Sequence, residues 1–158
     1  MKAYRLTKLG RPKPLDAEGA RQYGGRFNSP GVPMLYLSTS VALAMLEVRV
    51  HSPVPHPKQR LVHVIEVPDD RIQTLVQLGF ALPANWDVKP HDPALTPPLG
   101  DQWVSSGASL GMLVPSAVSP EDSNLLINPQ HPEFSEIRVL SSTPRNLDAR
   151  LWDYSMPQ

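Results

Sequence analysis

The chain contains no cysteine, which excludes a disulfide framework, a thiolate metal site and a cysteine nucleophile. It has no excess charge of either sign, because fifteen Lys and Arg balance fifteen Asp and Glu. The positive field that draws a protein to a nucleic-acid backbone is therefore missing. Long apolar runs are missing too: nothing approaches the roughly 18 residues of a membrane span, and the N-terminal residues carry no signal-peptide core. The expectation is a soluble, cytoplasmic protein that binds neither membrane nor nucleic acid directly. Five histidines, His51, His56, His63, His91 and His131, fall in no metal-ligand spacing, so no metal is expected.

Proline is abundant. Nineteen in 158 residues is about twice the usual share and favours extended segments and fixed turns over long helices. The length suits one domain, residues 1–158, with no repeat or linker to divide it. Short β-branched or aliphatic runs predict strands over residues 3–6, 34–37, 60–67, 109–114 and 137–140. The clearest helix spans residues 41–50 behind the N-cap oxygens of Ser38, Thr39 and Ser40. Asp69 or Asp70 can cap a second short helix running through Leu78. Residues 19–31 are a loop by composition, residues 11–15 and 52–58 are extended or looped through their prolines, and residues 82–103 read as an irregular excursion ordered in part by Trp86 and Trp103. The fold class is α+β, a single domain with small β-sheets and few short helices.

Within this frame Glu47 stands out. Leu43, Leu46, Glu47 and Val50 share one helical stripe, which places a carboxylate among aliphatic side chains unless the helix is rotated and Glu47 pairs with Arg49 or His51 at its edge. Arg26 lies between glycines in Gly24-Gly25-Arg26-Phe27-Asn28-Ser29-Pro30, where a guanidinium can present its fork to phosphate or carboxylate, or simply point to solvent. Tyr36 can stack on a planar ring or be half-buried core. Ser116 follows Pro115 without the Gly-x-Ser-x-Gly context of a hydrolase nucleophile. The residues from Arg145 to Asp153 and the pair Glu121-Asp122 read as solvated surface.

Several blocks in order resemble the RES domain family: Tyr4-Arg5-Leu6, Gly19-Ala20-Arg21, Gly24 through Gly31, Leu35-Tyr36-Leu37-Ser38, Ala42 through Val48 ending at His51, Val114-Pro115-Ser116, and Asn124 through Pro129 with His131-Pro132. The arginine, glutamate and serine that give the family its name match Arg26, Glu47 and Ser116. Tyr36 matches its active-site tyrosine, and Arg5 falls in the Tyr-Arg of the first strand. Phe27 stands where tryptophan is expected, and the proline-rich stretch after His51 is peculiar to this chain.

The resemblance implies a fold like that of the diphtheria-toxin-like ADP-ribosyltransferases, a split pair of small sheets with an NAD cleft between them. It implies a toxin of a toxin-antitoxin pair that degrades NAD as glycohydrolase or phosphorylase, with Arg26, Tyr36, Glu47 and Ser116 as catalytic residues. Arg5, Arg26, Asn28, Tyr36 and Asn124 would bind NAD. No cofactor is required beyond NAD as substrate and, for phosphorolysis, inorganic phosphate. A helix-turn-helix antitoxin of Xre type is the implied partner, and a homodimer within a larger complex the implied assembly. Two alternatives stand beside it: an ADP-ribosyltransferase that modifies a protein, and a non-catalytic binding module on the same surface.

Overall fold

The computed structural model describes residues 1–10, 13–51 and 59–151. The predicted loop at 52–58 lies outside the described residues, as do Arg11, Pro12, Trp152 and Asp153. Seven strands, β1 (Lys2–Thr7), β2 (Leu35–Ser38), β3 (Gln59–Glu66), β4 (Ile72–Thr74), β5 (Gly111–Pro115), β6 (Ser123–Ile127) and β7 (Arg138–Asn146), are joined by α1 (Glu18–Tyr23), α2 (Val41–His51) and α3 (Pro97–Ser106).

The strand order is β4-β5-β6-β2-β1-β3-β7. Every neighbouring pair is antiparallel except β4 with β5. The array is split in effect. β1 pairs with β3 along its whole length, and β2 with β6 along its own, but β1 and β2 meet at the single pair Tyr4 and Ser38. Two half-sheets thus diverge from one narrow seam, and residues flanking it, Tyr4, Arg5, Leu6, Leu37 and Ser38, line the main cavity.

The period of two along a strand sends alternate side chains to opposite faces. Leu35, Leu37, Leu125 and Ile127 join Ala3, Ile65, Leu110 and Ile137 in one buried cluster. The intervening Leu126, Met112 and Val114 belong to a second cluster with Phe27, Met34 and Trp103. The edge strand β7 is exposed throughout and carries Arg138, Pro144 and Arg145, residue types that discourage pairing with a second molecule.

The predicted strands at 3–6, 34–37, 60–67 and 109–114 are present with small shifts of boundary, and the one at 137–140 extends to Asn146. Three expectations are corrected. Residues 69–78 are not a helix: a short 3-10 turn, Asp69–Arg71, leads into β4, whose Ile72, Gln73 and Thr74 pair with β5. The 19–31 segment begins in α1 before it becomes loop. The excursion at 82–103 ends in α3, where Pro97 and Pro98 occupy the first turn, the one part of a helix that needs no intrahelical N–H partner. The block from Asn124, for which the sequence predicts no element, lies in a strand, β6, buried at Leu125, Leu126 and Ile127.

The α2 helix forms where expected. Ser40 Oγ accepts the Leu43 N–H at 3.0 Å, the side-chain N-cap the sequence suggests. Its phase differs from the expected stripe. Leu43 and Ala44 are buried, whereas Leu46 and Val50 are 38% and 51% exposed. The face turned to the cavity carries Ala44, Glu47, Val48 and His51. Glu47 does point inward, but beside smaller and more polar neighbours than the apolar count implied.

Candidate active site

The cavity at the seam encloses about 460 Å³. Three cationic side chains, Arg5, Arg26 and Lys89, and one carboxylate, Glu47, line it together with His51, Tyr36 and Asn124. In a protein of zero net charge this is a local concentration of positive charge around one negative group.

Glu47 is oriented by the half-sheet opposite its helix. Its Oε1 accepts the Ser116 hydroxyl at 3.0 Å and the Asn124 amide at 2.7 Å. Hydrogen bonds to a charged acceptor contribute roughly 1.5–3 kcal/mol each, so one oxygen is fixed while Oε2 meets, among the described residues, only His51 Nδ1 at 3.6 Å. The network has a second layer. Asn124 Oδ1 accepts from Ser38 Oγ at 2.9 Å, and Ser116 Oγ accepts the backbone N–H of Val118 at 3.1 Å. Register explains the convergence: Ser38 and Val114 both pair with Asn124, which puts the three on one face, with Ser116 just beyond the end of β5.

Ser116 is fully buried and does not itself line the cavity. Its hydroxyl reaches Glu47 and not the cavity. Asn124, expected to bind substrate, lines the cavity but spends its amide on the same carboxylate.

Arg26 is presented by different means. Gly25 N–H donates to Asn28 O at 2.8 Å and closes a tight turn whose tip is Arg26 and Phe27. Phe27 is 2% exposed and packs into the core, which leaves Arg26 at the cavity wall. Thr96 at the start of α3 donates its hydroxyl to the Arg26 carbonyl, and Asp101 accepts the Ser29 N–H at 2.9 Å. Helix and turn approach so closely at Gly100 that a Cβ there would lie 1.7 Å from the Phe27 carbonyl oxygen; only glycine fits.

Tyr36 closes the wall beneath the turn. Its hydroxyl donates to Asn28 Oδ1 at 2.7 Å and accepts the Phe27 N–H at 3.0 Å. Burial, the main cause, pushes its pKa above the usual tyrosine range, so the phenol stays protonated and only its ring is left for a ligand. Gly25 is required here as well, since a Cβ would fall 2.6 Å from that hydroxyl oxygen.

Asn28, expected to bind substrate, is 1% exposed, and its amide nitrogen donates to the carbonyls of Ala20 and Val32 at 2.8 and 2.9 Å. It pins the turn and has no donor to spare. Arg5 lines the cavity and donates to Pro14 O at 2.8 Å; burial lowers its pKa and Asp16 partly opposes that.

The excursion supplies residues that sequence reasoning did not single out. Arg26 Nη1 donates to the Trp86 carbonyl at 2.5 Å, and its guanidinium carbon lies 5.8 Å from the centre of the Trp86 ring. Trp86 also meets Phe27, with ring centres 6.0 Å apart. The only advance signal was an isolated tryptophan in a proline-rich loop. Among the described residues no cluster of three metal-ligating side chains occurs, and no helix is long and apolar enough to cross a membrane.

A model of the RES domain matches residues 2–154. The chain belongs to the RES domain family. It is 42% identical over 117 residues to "Toxin Res" of Yersinia enterocolitica, covering 73% of this chain and 75% of that protein. It is 40% identical over 127 residues to the "Prs ADP-ribosylating toxin" of a Sphingobium species, with 79% and 78% covered. "Toxin Res" of Pseudomonas putida is 35% identical over 152 residues, 93% of this chain and 99% of that one. In fold, this RES domain is similar to a chain of the M. tuberculosis MbcT-MbcA toxin-antitoxin complex, with a TM-score of 0.72 over 92% of this chain and 84% of that one at 23% identity.

Proposed function

We propose that this RES protein is the toxin of a toxin-antitoxin pair and arrests growth by breaking the nicotinamide-ribose bond of NAD in the cytoplasm. The observation that carries the reading is the Glu47 carboxylate, held by Ser116 and Asn124 in a cavity whose lining also brings together the cations Arg5, Arg26 and Lys89. NAD has the complementary pattern: a diphosphate bearing two negative charges, and one positive pyridinium ring at the scissile bond.

The chemistry needs few groups. When the C1′–N bond of the ribose breaks, both electrons go to the ring nitrogen and nicotinamide leaves neutral, so no general acid is required. Positive charge grows on the ribose as in glycoside hydrolysis. A preoriented carboxylate stabilises that charge without reorganising. In this reading Glu47 Oε2 faces the ribose while Oε1 stays with its two donors. Tyr36 offers its ring to the nicotinamide or ribose. Arg26 and Arg5 hold the phosphates, contributing orientation more than bond making. An acceptor oxygen, from water or inorganic phosphate, then bonds to C1′ and releases its proton to solvent.

The Sphingobium relative, named as an ADP-ribosylating toxin, favours a second reading in which a protein side chain is the acceptor. Incubating the pure protein with NAD labelled in the adenylate half separates the cases. Free ADP-ribose identifies hydrolysis, its 1″-phosphate identifies phosphorolysis, and label fixed on a macromolecule identifies transfer. No release of nicotinamide under any condition contradicts both readings.

The likeness to a toxin-antitoxin complex supports an antitoxin partner, which we take to be a helix-turn-helix protein of Xre type, and we take the active assembly to contain a homodimer. Co-expression with the protein encoded beside it, followed by light scattering, tests both.

A further inference from the structure

We propose that Lys89 is a substrate-recognition residue and that it forms, with Arg26, the anion-binding part of the cavity wall, held in place from behind by Trp86 and His91. This rests on the reading of the site as one for a dinucleotide and adds to it a residue outside the family blocks.

Three observations converge. Lys89 lines the same cavity as Arg26 and Arg5, and among the described residues it has no carboxylate within ion-pair distance. The segment that delivers it is fastened to Arg26 itself, by the Trp86 carbonyl, by the Trp86 ring, and by His91 Nδ1, 3.4 Å from Arg26 Nη1. At that junction Arg26 Nη2 and His91 Nε2 are both buried without a hydrogen-bond partner.

A cluster with two buried unpaired nitrogens and a second cation at its rim is costly for the protein alone. It becomes favourable when an anion with several acceptor oxygens enters beside it. Glu47 Oε1 is taken by Ser116 and Asn124, and among the described residues no carboxylate forms an ion pair with Arg26, Lys89 or His91, although the charge of Asp92 acts on His91; a ligand can supply the missing counter-charge. A diphosphate linking two nucleosides has both the charge and the number of acceptors. Lysine suits the rim position, because its ammonium is a mobile point charge that follows a flexible phosphate chain, while Arg26 supplies the fixed fork.

The test measures binding of ADP and of inorganic pyrophosphate by calorimetry, with no turnover involved, for the wild-type protein, Lys89→Ala and Lys89→Arg. Thermal melting confirms that each is folded. The proposal expects Lys89→Ala to raise the Kd for ADP roughly three- to fivefold at low salt, the difference to shrink as salt rises, and Lys89→Arg to recover most of the affinity. Unchanged ADP affinity in Lys89→Ala overturns the proposal, as does equal loss in the alanine and arginine variants, or failure of the wild-type protein to bind either anion. If ADP affinity follows Lys89 but NAD is not consumed, the anion wall stands and the NAD-cleaving reading fails. If NAD is consumed and ADP affinity ignores Lys89, the reverse holds.

Discussion

The two ends of the cavity are built differently. At one end Glu47 stands on a regular helix and is met by Asn124 from β6 and by Ser116 just after β5, with both donors to Oε1 themselves held in place, Asn124 by Ser38 and Ser116 by the Val118 N–H. At the other end Arg26 stands on a turn, backed by an irregular segment, with one of its own nitrogens buried and unpaired. The carboxylate is finished before any ligand arrives; the guanidinium is not. A group that must meet developing charge gains most from being preorganised, whereas one that binds an existing charge can leave part of its bonding for the ligand. Under the proposed function, this contrast fits bond breaking at the Glu47 end and affinity at the Arg26 end.

The sharpest way to break this division is at Arg26. Arg26→Ala removes a partly buried fork and is expected to raise the KM for NAD by roughly 30- to 100-fold, as truncation of a desolvated charge contact does. Turnover at saturation should fall far less. Steady-state kinetics over a wide NAD range decides, and a variant that loses turnover while keeping KM would move Arg26 to the chemical end.

Ser116→Ala probes the opposite end. It leaves Glu47 in place with one donor fewer, so turnover should drop about tenfold, in line with the loss of one hydrogen bond to a charged group, while KM changes little. Because Ser116 also accepts the Val118 N–H, Ser116→Thr serves as the control that keeps the hydroxyl and should recover much of the rate. Equal losses in both variants would mean that the site is sensitive to packing and not to the bond.

A smaller effect is expected behind Arg5. His63 is fully buried, 2.8 Å from the Thr7 hydroxyl and 2.7 Å from that of Ser142. Burial first, and the Arg5 charge second, lower its pKa. The unfolded chain then binds a proton at higher pH than the folded one, so the stability tied to a neutral His63 is present above the ordinary histidine range and is lost as pH falls through it. Melting temperatures measured from pH 7.5 down to 5 should decline more steeply for the wild-type protein than for His63→Asn. Parallel curves would remove His63 as the source.

The same contrast explains how much of the molecule could be read in advance. The Glu47 end uses regular elements whose signals are largely local: the N-cap at Ser40, the period of α2, the aliphatic runs of β2 and β5. Even there the helix phase was misjudged, because Leu46 and Val50 are apolar yet exposed, and only the tertiary arrangement shows that Ala44 and Val48 flank Glu47 on the inner face. Asn28 is hard to place from sequence for a related reason. A polar residue in a glycine-rich loop has the composition of a ligand contact, but its partners are carbonyls of the loop itself. The Arg26 end depends on contacts between residues about sixty to seventy-five positions apart, from Arg26 to Trp86 and Thr96 and from Phe27 to Gly100. No local pattern encodes these. The α3 helix that organises them was hidden by Pro97, Pro98 and Gly100, residues that break a helix in its middle but suit its first turn or a close crossing.

The most direct measurement of the central claim compares Glu47→Gln with the wild-type protein for two quantities in one preparation, nicotinamide release and the Kd for NAD. Glutamine keeps the size and much of the hydrogen bonding of the side chain but removes the charge that would face the ribose. The account predicts that nicotinamide release falls by about 10²- to 10³-fold while the Kd for NAD stays within about threefold, because binding resides at the arginine end. Turnover close to wild type, or a loss of NAD binding as large as the loss of turnover, would contradict it.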